Sequence, residues 1–201
     1  MIDDRDVAAF GERADRYDDG WLGRFHHEVA QRVASVVDSV IASPSRILDV
    51  GCGTGYLLAL LAQRYPDAEK LAGIDASAAM VAVARTLSLD PRIQVREAIA
   101  EQLPFGDAEF DLIVSTTSFD HWRDQAAGLR ECARVLDRDG VLVLADLFSP
   151  LLRPTLIGAR RGKARTRARA ELLLSGAGHE IDSWHRIEPF IRAFVARGAD
   201  R

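Results

Sequence analysis

The stretch that most constrains the fold is "ILDVGCGTG", residues 47–55. The apolar run "RILDV" breaks into a glycine turn, and a mostly apolar segment, "YLLALLAQRY", follows until Pro66 stops it. A short apolar run that ends on glycine and feeds a helix reads as a central parallel strand, covered on both faces. The alternation continues. "KLAGID" reads as a second strand, and "SAAMVAVARTLSL" as a helix with Ser77 as its N-cap. "RIQVRE" and "FDLIVS" read as the third and fourth strands. A helix from about Gln125 to Leu136 turns Leu129, Ala133 and Leu136 inward, and "GVLVLADLF" is a fifth strand. "HEIDSWHRI" and "PFIRAFVARG" alternate like two strands near a sheet edge. Ahead of all these, "EVAQRVASVVDSVI" places Val29, Val33, Val36 and Val40 on one helical face. Repeated strand–helix units imply a doubly wound α/β sheet, whose ligands sit beyond the carboxyl ends of the strands.

Gly51, Gly53 and Gly55 follow the pattern G-x-G-x-G. A dinucleotide fingerprint would place a third glycine where Tyr56 stands, so that helix and strand pack closely. Asp49 lies at the mouth of the turn, where its carboxylate would repel a pyrophosphate and suit a cation. S-adenosylmethionine carries a sulfonium and an ammonium and no phosphate, so the turn favours it over NAD or FAD.

From Arg46 to Phe148 the sequence resembles the class I S-adenosylmethionine-dependent methyltransferases, most closely their small-molecule branch. "ILDVGCGTG" looks like the family's cofactor loop, which implies Asp49, Gly51, Cys52, Gly53 and Gly55 as binding residues. "GIDAS" resembles the motif whose acid holds the ribose hydroxyls; Asp75 matches it, with Ala76 beside it, and a carboxylate can accept from both hydroxyls. Met80 matches a position that packs on adenine, and reads equally as a core methionine. Ile99 stands where many relatives carry an adenine-binding aspartate; the resemblance leaves that role either to the backbone of Ile99 and Ala100 or to packing of Ile99 on the ring. "LRECARVLDRDGVLVLAD" resembles the following helix, turn and strand, with Asp139-Gly140 at the turn. The fold implied is a Rossmann-like, doubly wound, seven-stranded sheet whose last strand runs antiparallel.

On the acceptor side, "STTSFDHW" follows the fourth strand and, in this fold, faces the departing methyl. Ser115 and Thr116 are expected at the methionine end of the cofactor. His121 is the candidate general base, with a structural histidine as the alternative. Phe119, Asp120 and Trp122 are candidate acceptor contacts, although Asp120 also reads as a helix cap and Trp122 as packing. The N-terminal segment, residues 1–45, reads as a lid over the core of residues 46–201. Its "A-x-x-Y-D" resembles the family's pattern and puts Tyr17 at the methionine end, with Trp21 and Phe25 walling an acceptor pocket. His26 and His27 are adjacent, face different ways on a helix, and have no nearby partners of metal-ligand type, so no metal is expected.

The run Arg160, Arg161, Lys163, Arg165, Arg167, Arg169 reads as a solvated helix or loop, or as a patch drawing in an acidic substrate. The 201 residues carry a net charge of -4, which gives no pull toward nucleic acid or anionic lipid. Cys52 and Cys132 form no metal-spaced pair and no disulfide framework, which fits a reducing cytoplasm. "MIDDRDVAAF" lacks the apolar core of a signal peptide, and no run reaches membrane-spanning length. The reading is a methyltransferase using S-adenosylmethionine on a small-molecule O, N, S or C nucleophile. The alternatives are a binding protein for S-adenosylmethionine or S-adenosylhomocysteine without methyl transfer, and an NAD-linked oxidoreductase.

Overall fold

The structure, a computed structural model, describes residue 14, residues 17–148 and residues 166–198, the side chain of Leu22 excepted. In chain order the elements are α1 (Gly20–Val40), β1 (Arg46–Val50), α2 (Tyr56–Arg64), β2 (Lys70–Asp75), α3 (Ala78–Leu87), β3 (Ile93–Glu97), β4 (Phe110–Thr116), a 3-10 turn (Phe119–His121), α4 (Gln125–Val135), β5 (Leu136–Leu147), α5 (Arg167–Ser175), β6 (His179–Arg186) and β7 (Ile191–Gly198). The strands form one seven-stranded sheet in the order β3-β2-β1-β4-β5-β7-β6. β1 through β5 pair in parallel, and β7 runs antiparallel to both β5 and β6. The strand order reverses between β1 and β4, so a crevice opens at their carboxyl ends.

The apolar runs are continuous because the inner strands are covered on both faces. On one side Ile47, Leu112, Val114 and Val143 pack with Val29, Val33 and Val37 of α1 and with Leu57, Leu58 and Leu61 of α2. On the other, Leu48, Val50, Ile113, Leu142 and Leu144 pack with Leu129, Cys132 and Val135 of α4 and with Ala170 and Leu174 of α5.

Two features differ from the sequence reading. The segment expected as a lid is divided, because α1 is a layer of the core. Its valine face is buried, Arg32 Nη1 donates to the Ile187 carbonyl at 2.7 Å, and Arg197 Nη2 donates to the Val40 carbonyl at 3.0 Å. β5 starts at Leu136 rather than at Gly140. Leu136 pairs with Phe110, and a register shift between Phe110 and Leu112 absorbs the Asp139-Gly140 corner. The helix expected over much of Leu151–Ser175 is described only as α5, capped by Thr166 Oγ1 accepting from Arg169 N at 3.3 Å; residues 149–165 lie outside the described residues.

Candidate active site

The glycine turn joins β1 to α2 at the mouth of the crevice. Gly51, Gly53 and Gly55 have φ of 78, 53 and 85°, a region that side-chain-bearing L residues enter only under strain. Gly51 N and Cys52 N donate to the Ile74 carbonyl at 2.8 and 2.9 Å, which lashes the turn to the end of β2. A Cβ on Gly51 would fall 1.9 Å from Ser118 Oγ, whereas one on Gly53 would meet nothing within 4 Å. The turn is therefore closed against the loop after β4 and open above Gly53. Gly55 caps α2 from the left-handed region and without a side chain.

Beneath the turn lies Asp49, 1% exposed, with Oδ1 fully enclosed and without a hydrogen-bond partner. Burial, and then the charge of Asp75, push its pKa up to about 8. Asp75, at the end of β2, is held by two amides: Oδ2 accepts from Gly53 N at 2.9 Å and Oδ1 from Ser77 N at 2.8 Å. Burial raises its pKa against the pull of those bonds. Ala76 follows, and Ser77 caps α3 through Met80 N at 3.4 Å, as the sequence suggests. Met80 is buried on the first turn of α3. Ala98 N donates to the Asp75 carbonyl at 3.0 Å, which brings the half-buried Ile99 and the buried Ala100 alongside Asp75. Cys52 is buried, its thiol pKa raised by burial, and its Sγ makes a long contact, 3.8 Å, with the Gly53 carbonyl.

Ser115 is spent elsewhere. Fully buried, it donates to the Val50 carbonyl at 2.8 Å and ties β4 to β1, while Thr116 ends β4 half-buried. The loop then bends sharply. Thr117 is a β-branched residue at φ 50°, an uncommon and strained conformation. Its amide donates to the Ala145 carbonyl at 2.8 Å, and its Oγ1 lies 3.4 Å from His26 Nδ1. Phe119 and Trp122 are buried edge to face, with centroids 5.0 Å apart, and Trp122 Nε1 donates to Ser118 Oγ at 3.1 Å. Both rings serve the packing of the loop, as the alternative reading of Trp122 has it. The Asp120 amide donates to Asp146 Oδ2 at 3.0 Å, and the Leu147 amide to Asp146 Oδ1 at 2.6 Å. His121 is exposed, and its imidazole offsets, in part, the burial that raises the pKa of Asp75 and of Asp146.

From α1 and the turn before it, Tyr17 and His26 reach the same crevice. The Tyr17 hydroxyl lies 3.4 Å from His26 Nε2. Burial and the charges of Asp75 and Asp18 push Tyr17 up to about 12, while burial pushes His26 below the ordinary imidazole value. His27 turns away, as adjacent helical positions must; it meets Asp18 at 2.8 Å and stacks on Tyr56 with centroids 3.7 Å apart. Phe25 is half-buried against the core, and Trp21 is 73% exposed. Among the described residues no group of His, Cys, Asp or Glu is arranged to hold a metal, and no helix is long and apolar enough to cross a membrane. Of the basic run, Arg167 lies over the Trp184 ring at 5.1 Å, and residues 160–165 lie outside the described residues.

Sequence reasoning missed His26, Thr117 and Asp146. Two of them left a signal. His26 precedes Val29, Val33 and Val37 by whole helical turns, so it shares their inward face. Asp146 is the first charge after the apolar run "VLVLA", at the carboxyl end of a strand where ligands bind. The positive φ of Thr117 left none.

A methyltransferase-domain family model matches residues 48–144. A malonyl-[acyl-carrier protein] O-methyltransferase of Geobacter sulfurreducens is 38% identical over 147 residues, covering 72% of this chain and 54% of that protein. A demethylmenaquinone methyltransferase of Thermotoga maritima is 36% identical over 120 residues, covering 60% of this chain and 50% of that protein. The chain thus spans about half the length of these relatives. A SAM-dependent methyltransferase of Aquifex aeolicus superposes with a TM-score of 0.73 at 19% identity, over 92% of this chain and 97% of that one. Sheet order, glycine turn and sequence similarity agree: the chain belongs to the class I S-adenosylmethionine-dependent methyltransferases.

Proposed function

We infer that the protein transfers a methyl group from S-adenosylmethionine to a small-molecule nucleophile. The observation that carries this is Asp49, a buried carboxyl with an unsatisfied oxygen beneath a turn that is open only above Gly53. A buried acid without a partner is costly, and a cationic ligand end removes that cost. A pyrophosphate would raise it. The residues present therefore fit S-adenosylmethionine and oppose NAD.

Bound there, the cofactor supplies an electrophilic methyl on a positively charged sulfur. The chain's own residues bind and orient. Asp49, beneath the turn, and the open side of the turn above Gly53 face the methionine end. Asp75, fixed by Gly53 N and Ser77 N, keeps lone pairs for the ribose hydroxyls. Met80 and Ile99 flank the adenine, with the Ala100 backbone beside them. Thr116, Thr117 and His121, at the end of β4 and in the loop beyond it, face the acceptor and hold it in line with the methyl. The names of the two relatives point to small organic acceptor groups, in one case through an oxygen.

The test is a calorimetric titration with S-adenosylhomocysteine and with NAD, followed by an acceptor screen using a deuterated methyl donor and mass readout. Binding of S-adenosylhomocysteine alone, with a labelled methyl appearing on a small molecule, is the expected result. Binding of NAD alone would overturn the reading. Cofactor binding with no transfer across the screen would favour a binding protein.

A further inference from the structure

Resting on the methyl-transfer reading, we propose that Tyr17 and His26 form a proton relay serving the acceptor. Both lie outside the glycine turn and outside the loop that carries His121. Tyr17 precedes α1, His26 lies on its inward face, and the two meet with Oη 3.4 Å from Nε2 and ring centroids 5.1 Å apart. The other ring nitrogen, Nδ1, faces Thr117 Oγ1 at 3.4 Å. Thr117, just past the carboxyl end of β4, lies in the left-handed region with its amide donating to the Ala145 carbonyl. Strain in a β-branched residue, kept where ligands bind and aimed at an imidazole, is the mark of a position fixed for function. Thr117 directly follows β4, so its contact with His26 sets the pair at the carboxyl end of that strand, and the Asp75 charge adds to burial in raising the Tyr17 pKa.

A neutral imidazole has one donor and one acceptor nitrogen. In the relay the Thr117 hydroxyl accepts from Nδ1–H, which leaves Nε2 as the acceptor for Tyr17 O–H. Burial keeps the ring neutral, and Asp18 stands near to steady the imidazolium once it forms. In the step, the O–H or N–H bond of the acceptor breaks and its electron pair forms the new bond to the methyl carbon. The proton passes to Tyr17 Oη as Tyr17's own proton passes to His26 Nε2. The electron pair of the broken sulfur–carbon bond stays on sulfur. Tyr17 ends unchanged and His26 ends protonated.

The tautomer tests the relay directly. Long-range ¹H–¹⁵N spectra of the full chain at pH 8, with S-adenosylhomocysteine bound and His26→Gln for assignment, should show Nδ1 protonated and Nε2 bare. Tyr17→Phe should move the Nε2 resonance. A proton on Nε2 overturns the relay, because the ring would then donate to Tyr17 and have nothing to accept with. With an acceptor from the screen, Tyr17→Phe and His26→Gln should each lower kcat by about 10²–10⁴, the double variant no further than the worse single, as for groups that act as a unit. His26→Gln should keep the wild-type affinity for S-adenosylhomocysteine. Full turnover in either single variant overturns the relay and leaves methyl transfer standing. A wild-type chain that binds no S-adenosylhomocysteine overturns the methyl-transfer reading and the relay with it.

Discussion

Asp49 is a destabilising residue in the ligand-free chain. Its pKa rises to about 8, from burial first and Asp75 second, against about 3.9 for an unfolded aspartate. Between those values the folded chain holds a proton that the unfolded chain has released, so stability falls as pH rises through that window and levels off above it. Asp49→Asn removes the penalty. It should raise the melting temperature at pH 8 more than at pH 4.5, measured by scanning calorimetry, while weakening S-adenosylhomocysteine. A cationic ligand end draws the proton off, so binding at pH 7 should release protons, visible as a heat that depends on the ionisation enthalpy of the buffer. A heat independent of buffer would show that Asp49 does not meet the cation. Asp75 acts differently, since both its oxygens already accept from amides. Asp75→Ala should weaken the ligand by about 1.5–3 kcal/mol, as expected when bonds to a charged acceptor are lost.

At the scale of elements, two turns carry the site and two glycines separate their duties. Gly51→Ala and Gly53→Ala share the left-handed strain of about 1–2 kcal/mol. Only Gly51→Ala also drives a methyl into Ser118, which receives the Trp122 indole. Gly51→Ala should therefore lower the denaturant midpoint markedly more than Gly53→Ala does. Gly53→Ala should cost ligand affinity out of proportion to its effect on stability. Equal effects on both readouts would mean that Gly53 does not face the ligand. The second turn, Phe119–His121, hangs on Asp146 through the Asp120 amide. Asp146→Ala strands that amide, at about 1–3 kcal/mol, and lets His121 wander. Turnover should fall while affinity for S-adenosylhomocysteine holds; unchanged turnover would make the anchor purely structural. The first turn was legible because glycine spacing and a preceding acid encode backbone geometry locally. The second was only half legible. "STTSFDHW" marks a loop, but its shape depends on Asp146 and Ala145, far along the chain, and on which rings are spent on packing.

Across the whole molecule, the sheet was readable because buried parallel strands leave apolar runs and glycine ends, as Ile47–Val50 and Leu112–Val114 do. The last pair is graded too. β7 is buried along most of its length and β6 is largely polar, which is how an inner and an edge strand differ. The strand order itself is non-local and came from resemblance. What the helical face of α1 packs against was hidden for the same reason, since a valine stripe says that a helix is covered and not by what. Val29, Val33 and Val37 cover β4 and β5, and Arg32 and Arg197 close the far edge. A chain beginning at Ser45 would expose that apolar face of the sheet and leave the Ile187 carbonyl without its Arg32 donor. It should lose cooperative melting and near-ultraviolet ellipticity, and it should bind dyes that report exposed apolar surface. Val33→Ala in the full chain, which deletes two methyl groups from a fully buried position, should cost about 1–3 kcal/mol with two-state unfolding kept. A Ser45 chain that melts as sharply as the full one would make α1 a detachable lid and place the domain boundary at residue 46.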